Sequence, residues 1–107
     1  MTKSRKKSEI VFFREKIDKI DSQIIKLLVS RFVFIEKIAQ YKKSHDLLLV
    51  QKQREKDVLN KLTHNVESKS LRNGFIHAIF RLIFNESKKY QEKIISTTTI
   101  FDKKAKN

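Results

Sequence analysis

Arg31 stands where an apolar side chain is due. Ile10, Phe13, Ile17, Ile20, Ile24, Leu27, Phe34, Ile38 and Tyr41 recur at alternating spacings of three and four, and Arg31 fills the gap between Leu27 and Phe34. A guanidinium in an apolar stripe is costly unless an anion answers it. The anion can be a helix carboxylate in an internal salt bridge, or a ligand. Lys42 lies eleven residues further on, three turns along and on nearly the same face. The two bases could close on one small anion from both ends.

Two other stretches break their apolar pattern in the same way. The line Ile76, Phe80, Ile83 continues into Ser87 and Gln91, so a stripe becomes a hydroxyl and an amide at one-turn spacing. Gln51, Arg54 and Glu55 occupy the turn before Val58 and Leu62. Singly, such residues are usually partly exposed surface groups. Several helices that each turn polar groups inward describe a ligand site in the core of a bundle. Arg14 is separate: it precedes Arg31 by seventeen residues, roughly 25 Å along one helix. A metabolite-sized ligand cannot reach both from one chain, so a functional Arg14 would have to enter the site of a second subunit.

The elements that must carry these residues are few and long. The 107 residues include no Pro and a single Gly, at 74, so the turn signals a sheet protein needs are missing. The alternating seam predicts a first helix over about 9–43, with Ser8 and Glu9 at its start and Lys42 and Lys43 at its end. His45 to Val50 is apolar without helical period and reads as a connection. A second helix fits about 52–64. Asn65 to Ser70 is a polar link with Ser70 as candidate N-cap, and a third helix fits about 71–95. The expected division is a basic extension over 1–9, a helical domain over 10–95, and a flexible tail over 96–107.

A 35-residue helix is roughly 50 Å long, whereas a compact globule of this size has a radius of gyration of about 13 Å. The other two helices cannot cover the whole seam. The fold class expected is all-α, a three-helix chain with one very long N-terminal helix, in an intertwined homodimer.

Composition narrows the function classes. Without Cys there is no disulfide scaffold, thiolate metal site or cysteine nucleophile, and His45, His64 and His77 have no metal-ligand spacing. No stretch approaches the roughly 18 apolar residues of a membrane span, and the first residues lack a signal-peptide core. A cytoplasmic protein without membrane attachment is expected. The net charge of +13 first suggests nucleic acid, but it is spread out. Residues 1–9 and 96–107 hold seven of the 25 bases, and the six Arg lie far apart. A helical nucleic-acid-binding dimer stays as the reading from a different class. It would need bases gathered on one surface, which an Arg on an apolar seam does not serve.

The run FREKIDKIDSQIIKLLVSRF, then EKIAQYKKSH, then QREKDVLNKL, and finally FIHAIFRLIFNESKKYQ, resemble the all-helical class of chorismate mutase over roughly residues 10–92. The resemblance implies an intertwined dimer of three-helix chains acting on chorismate or a close relative, without metal or cofactor. It implies that Arg14, from the partner chain, and Arg31 bind the carboxylates with help from Ser87. Lys42 and Gln91 would hydrogen-bond the ether oxygen, and Glu55 the ring hydroxyl, with Arg54 beside it. Gln51 stands where the family commonly has Asp, in a segment reading LeuLeuValGln.

These residue types suit that chemistry. Chorismate to prephenate is a [3,3]-sigmatropic rearrangement and needs no nucleophile. An enzyme can hold the enolpyruvyl side chain over the ring and stabilise charge as the C–O bond breaks. Two carboxylates call for two planar bidentate donors, which Arg supplies better than Lys. Isochorismate-pyruvate lyase, on a related scaffold with a similar Arg, Lys and Gln set, is the near alternative. A mutase acting on a substrate with an amine in place of the hydroxyl is a weaker one.

Overall fold

The computed structural model describes the backbone of residues 2–45, 52–64 and 70–106, and the side chains of residues 8–45, 52–64 and 70–96. Gln51 lies outside the described residues. Among those described, all secondary structure is helical: α1 spans Thr2–Ser44, α2 Lys52–His64 and α3 Asn73–Lys106. The chain divides into two compact units, residues 1–34 and residues 35–107. The first unit is the greater part of α1. The second holds the end of α1 with α2 and α3.

Two helix ends differ from the sequence-based expectation. α1 begins at Thr2 and not near 9, and α3 runs on to Lys106 where a flexible tail from 96 was expected. No Pro or Gly interrupts either stretch, and at the start of α1 Lys and Arg prolong the helix at little cost. The start of α3 is a third correction. Ile76 N–H donates to the Arg72 carbonyl at 3.1 Å and Phe75 N–H to the same oxygen at 3.0 Å, which makes Arg72 the capping residue, two positions after Ser70. A Cβ at Gly74 would meet no atom within 4 Å, so this glycine is not required by a close approach.

In the first unit the expected seam is out in solvent. Ile10, Phe13, Ile17, Ile20, Ile24 and Leu27 are all exposed, as are Val11, Phe12, Ile25 and Val29 from neighbouring faces. The helix is apolar on more than one side, and this chain alone does not cover it.

In the second unit α1 turns a different face inward. Ala39 is fully buried and Lys42 nearly so, with Ile35 half-buried, while Phe34 at the boundary and Ile38 and Tyr41 on the expected seam are exposed. The stripe Ile35, Ala39, Lys42 is offset by one residue from the predicted one. The small Ala39 side chain leaves room at this point. α2 packs on α3, and its Val58, Leu59 and Leu62 are half-buried. α3 contributes Ile76 and Phe84, each worth about 1.5–3 kcal/mol of burial, with the Phe80 and Phe84 rings 5.9 Å apart.

α1 ends in a compact cap. The Tyr41 carbonyl accepts from the His45 N–H at 3.0 Å and from the Ser44 hydroxyl at 3.0 Å, and His45 Nδ1 lies 2.9 Å from it. The His45 ring stacks on Tyr41 at 3.9 Å. Carbonyls left over at a helix C-terminus need such donors, and here they stop the helix without a glycine.

Candidate active site

Among the described residues, three polar side chains are buried: Lys42 at 4% exposure, Ser87 at 4% and Gln91 at 7%. As many apolar ones are buried, so the interior of the second unit is half polar. All three polar members were singled out from the sequence, Ser87 and Gln91 as breaks in an apolar stripe and Lys42 by its place three turns beyond Arg31.

Their geometry follows from the helices that carry them. Lys42 sits in the last turn of α1, where the negative helix end favours a cation. Gln91 follows Ser87 by one turn of α3, and Ile76, Phe80 and Phe84 continue that face toward the helix start. Lys42 Nζ donates to Gln91 Oε1 at 3.2 Å. The Ser87 hydroxyl donates to the Ile83 carbonyl at 2.7 Å. Burial pushes the Lys42 pKa below the ordinary lysine value, because the charged form loses water it would otherwise keep.

The pairing determines the amide's orientation. An ammonium has donors and no acceptor, so the Gln91 atom facing it must be the carbonyl oxygen. That leaves the Gln91 NH₂ as a donor beside the Lys42 ammonium. The arrangement is a cation and a neutral donor side by side in a water-poor setting, suited to an oxygen that gains negative charge.

Glu55 is in the first turn of α2 and only partly exposed. Its Oε1 lies 2.8 Å from Lys88 Nζ of α3. Lys88 was not anticipated from the sequence. It lies off the apolar stripe in a Lys-Lys pair, and the signal that could have found it is its place in the turn between Ser87 and Gln91. Arg54 is exposed. The structure thus brings Lys42 to Gln91, with Ser87 buried one turn away, and ties α2 to α3 through Glu55.

Arg14 and Arg31 belong to the first unit, where Arg14 is exposed and Arg31 half-buried. Gln51 cannot be placed. No group of three or more His, Asp or Glu side chains converges among the described residues, and no described helix is long and apolar enough to cross a membrane.

Comparison with known proteins places the chain in a family. The chain is 34% identical over 88 residues to a bifunctional chorismate mutase/prephenate dehydratase of Buchnera aphidicola subsp. Acyrthosiphon pisum (strain APS), a match covering 82% of this chain and 23% of that protein. A protein of the same description from Buchnera aphidicola subsp. Schizaphis graminum (strain Sg) is 32% identical over 90 residues, 84% of this chain and 23% of that one. The chain therefore spans about a quarter of the length of the curated relatives it matches. The family model described as chorismate mutase type II matches residues 13–92, a span that takes in Lys42, Glu55, Ser87 and Gln91. With that span taking in well over half of its residues, the chain belongs to the chorismate mutase type II family.

Proposed function

We propose that this chain is a chorismate mutase that converts chorismate to prephenate as a homodimer in the cytoplasm. The observation that carries the reading is the buried Lys42–Gln91 pair, a donor set without a nucleophile. The rearrangement breaks the ether C–O bond while a C–C bond forms, and negative charge gathers on the ether oxygen. Lys42 and the Gln91 amide donate to that oxygen, and the low-dielectric setting strengthens both bonds. No proton is gained or lost by the substrate overall.

Binding selects the reactive conformer. Arg31, and Arg14 from a second copy, take the two carboxylates, Glu55 accepts from the ring hydroxyl, and Arg54 and Gln51 also serve in substrate binding. Ser87 assists by turning its Oγ from the Ile83 carbonyl toward a carboxylate. Holding the two termini in contact can supply much of the rate enhancement. The mutase half of the relatives' name is the half that this chain's matched residues share, through the family span 13–92.

The homodimer is supported by the exposed face of α1. Ile17, Ile20, Ile24 and Leu27 are each at least half exposed in the single chain, a continuous apolar stripe that a second α1 would cover. We keep residues 10–95 as the catalytic domain.

The test is to incubate the purified chain separately with chorismate and with isochorismate. Prephenate from chorismate is the expected product. Salicylate and pyruvate from isochorismate, with chorismate untouched, would instead establish the lyase. A tight gel shift with nucleic acid at physiological salt and no turnover of either substrate would overturn the enzyme reading.

A further inference from the structure

Lys88 carries a role that neither the sequence pattern nor the family resemblance assigns. Its Nζ lies 2.8 Å from Glu55 Oε1, and the two side chains are 35% and 27% exposed. The neighbouring Lys89 offers a contrast. It pairs with Glu86 at 3.8 Å within α3, and those side chains are 74% and 67% exposed. A loose pair of that kind contributes little. The Lys88–Glu55 pair is short, crosses from α3 to α2, and sits in the same turn of α3 as the buried Ser87 and Gln91.

We propose that Lys88 is a positioning residue that fixes the Glu55 carboxylate for the substrate's ring hydroxyl. The proposal rests on reading Glu55 as the hydroxyl acceptor. A glutamate side chain has three rotatable bonds, and an unanchored one would be ordered only when substrate binds. With Oε1 held by the ammonium, the carboxylate's rotation is restrained, and Oε2 is the oxygen that accepts a hydrogen bond from the hydroxyl. The ordering is then complete before binding, which lowers the cost of engaging the hydroxyl. Lys88 also supplies a positive neighbour to a carboxylate that would otherwise repel a dianionic substrate. Its effect is on recognition of the hydroxyl, through Glu55, and not on the breaking bond.

The experiment combines kinetics and binding on the full chain, using wild type, Lys88→Met, Lys88→Arg, Glu55→Gln and the Lys88→Met/Glu55→Gln double variant. The binding probes are two bicyclic ether dicarboxylates shaped like the transition state, one with the hydroxyl and one without. Lys88→Met is expected to raise KM about tenfold with kcat within about threefold of wild type, and Lys88→Arg to recover most of the loss. Affinity for the hydroxyl-bearing probe should fall about tenfold and that for the probe without it less than about twofold, because only the former uses Glu55. In the Glu55→Gln background, Lys88→Met should add nothing further.

A purely structural strap between α2 and α3 would lower affinity for both probes alike, and that result overturns the proposal. So does an unchanged KM in Lys88→Met, or a Lys88→Met effect that persists in full beside Glu55→Gln. A wild-type chain that leaves chorismate unchanged is recognised before any substitution is made. It overturns the reading of the site itself, and this proposal with it.

Discussion

Lys42 Nζ donates to Gln91 Oε1 across 3.2 Å, joining the end of α1 to α3 over a separation of 49 positions in the chain. Each member prepares the other. The ammonium obliges the amide to present its oxygen inward and its NH₂ outward, and the amide oxygen replaces one of the waters the buried ammonium has lost. In the proposed mechanism, the ether oxygen would find its donors already oriented.

Removing the cation should therefore remove most of the catalysis and little of the fold. Lys42→Ala is expected to lower kcat by at least about 10²–10³-fold, the cost of deleting one preorganised donor to a developing oxyanion. Far-UV circular dichroism should remain that of wild type. Turnover near the wild-type rate would remove Lys42 from the mechanism.

The Gln91 amide donates at any pH, whereas a carboxyl donates only when protonated. Gln91→Glu should shift the activity profile toward acid. At pH 7.5 kcat/KM should fall by about 10²-fold or more, with partial recovery as pH drops toward the carboxyl range near 4–5. A pH–rate profile from pH 4 to 9 checks this, and a flat profile would contradict the donor role.

Burial lowers the Lys42 pKa, so the folded chain binds that proton less tightly than the unfolded chain does. The unfolded state then holds more protons between the lowered folded value and the ordinary value of about 10.4, and stability rises with pH across that window. Below the window the full cost of burying the charge is present. Lys42→Met removes that titration, so wild-type stability should rise relative to the variant's as pH climbs toward 10. Thermal melts of both over that range check this, and a difference that stays constant would contradict a lowered Lys42 pKa.

If Arg14 serves the site of a second copy, two inactive variants should rescue each other. Arg14→Ala and Lys42→Ala chains, unfolded together and refolded in equal amounts, form hybrid dimers in about half the population, each with one complete site. About a quarter of wild-type activity is expected. Activity no greater than the average of the two parents would place Arg14 outside the partner's site.

Ser87 and Gln91 were legible in the sequence because each puts a polar group on an apolar stripe, and Lys42 because it lies three turns beyond Arg31 on nearly the same face. The inward face of α1 was not legible. The helix is apolar on two sides, and periodicity alone does not separate Ile35, Ala39 and Lys42 from Phe34, Ile38 and Tyr41. Lys88 escaped notice because its pairing depends on how α2 lies on α3, which no local pattern encodes. The helix ends were misjudged for a simpler reason. Arg72 caps α3 with a main-chain carbonyl, for which any residue type serves, and α3 continues past 95 because nothing in the sequence stops it.

Ala39, Ile76 and Phe84 are the buried apolar side chains among the described residues. If a second copy completes the exposed apolar face of α1, folding and association become one mass-action equilibrium, and the melting temperature climbs with protein concentration. Dilution would then dissolve the helices and the Lys42–Gln91 pair together, so the amount of chain present would decide whether each copy is folded at all.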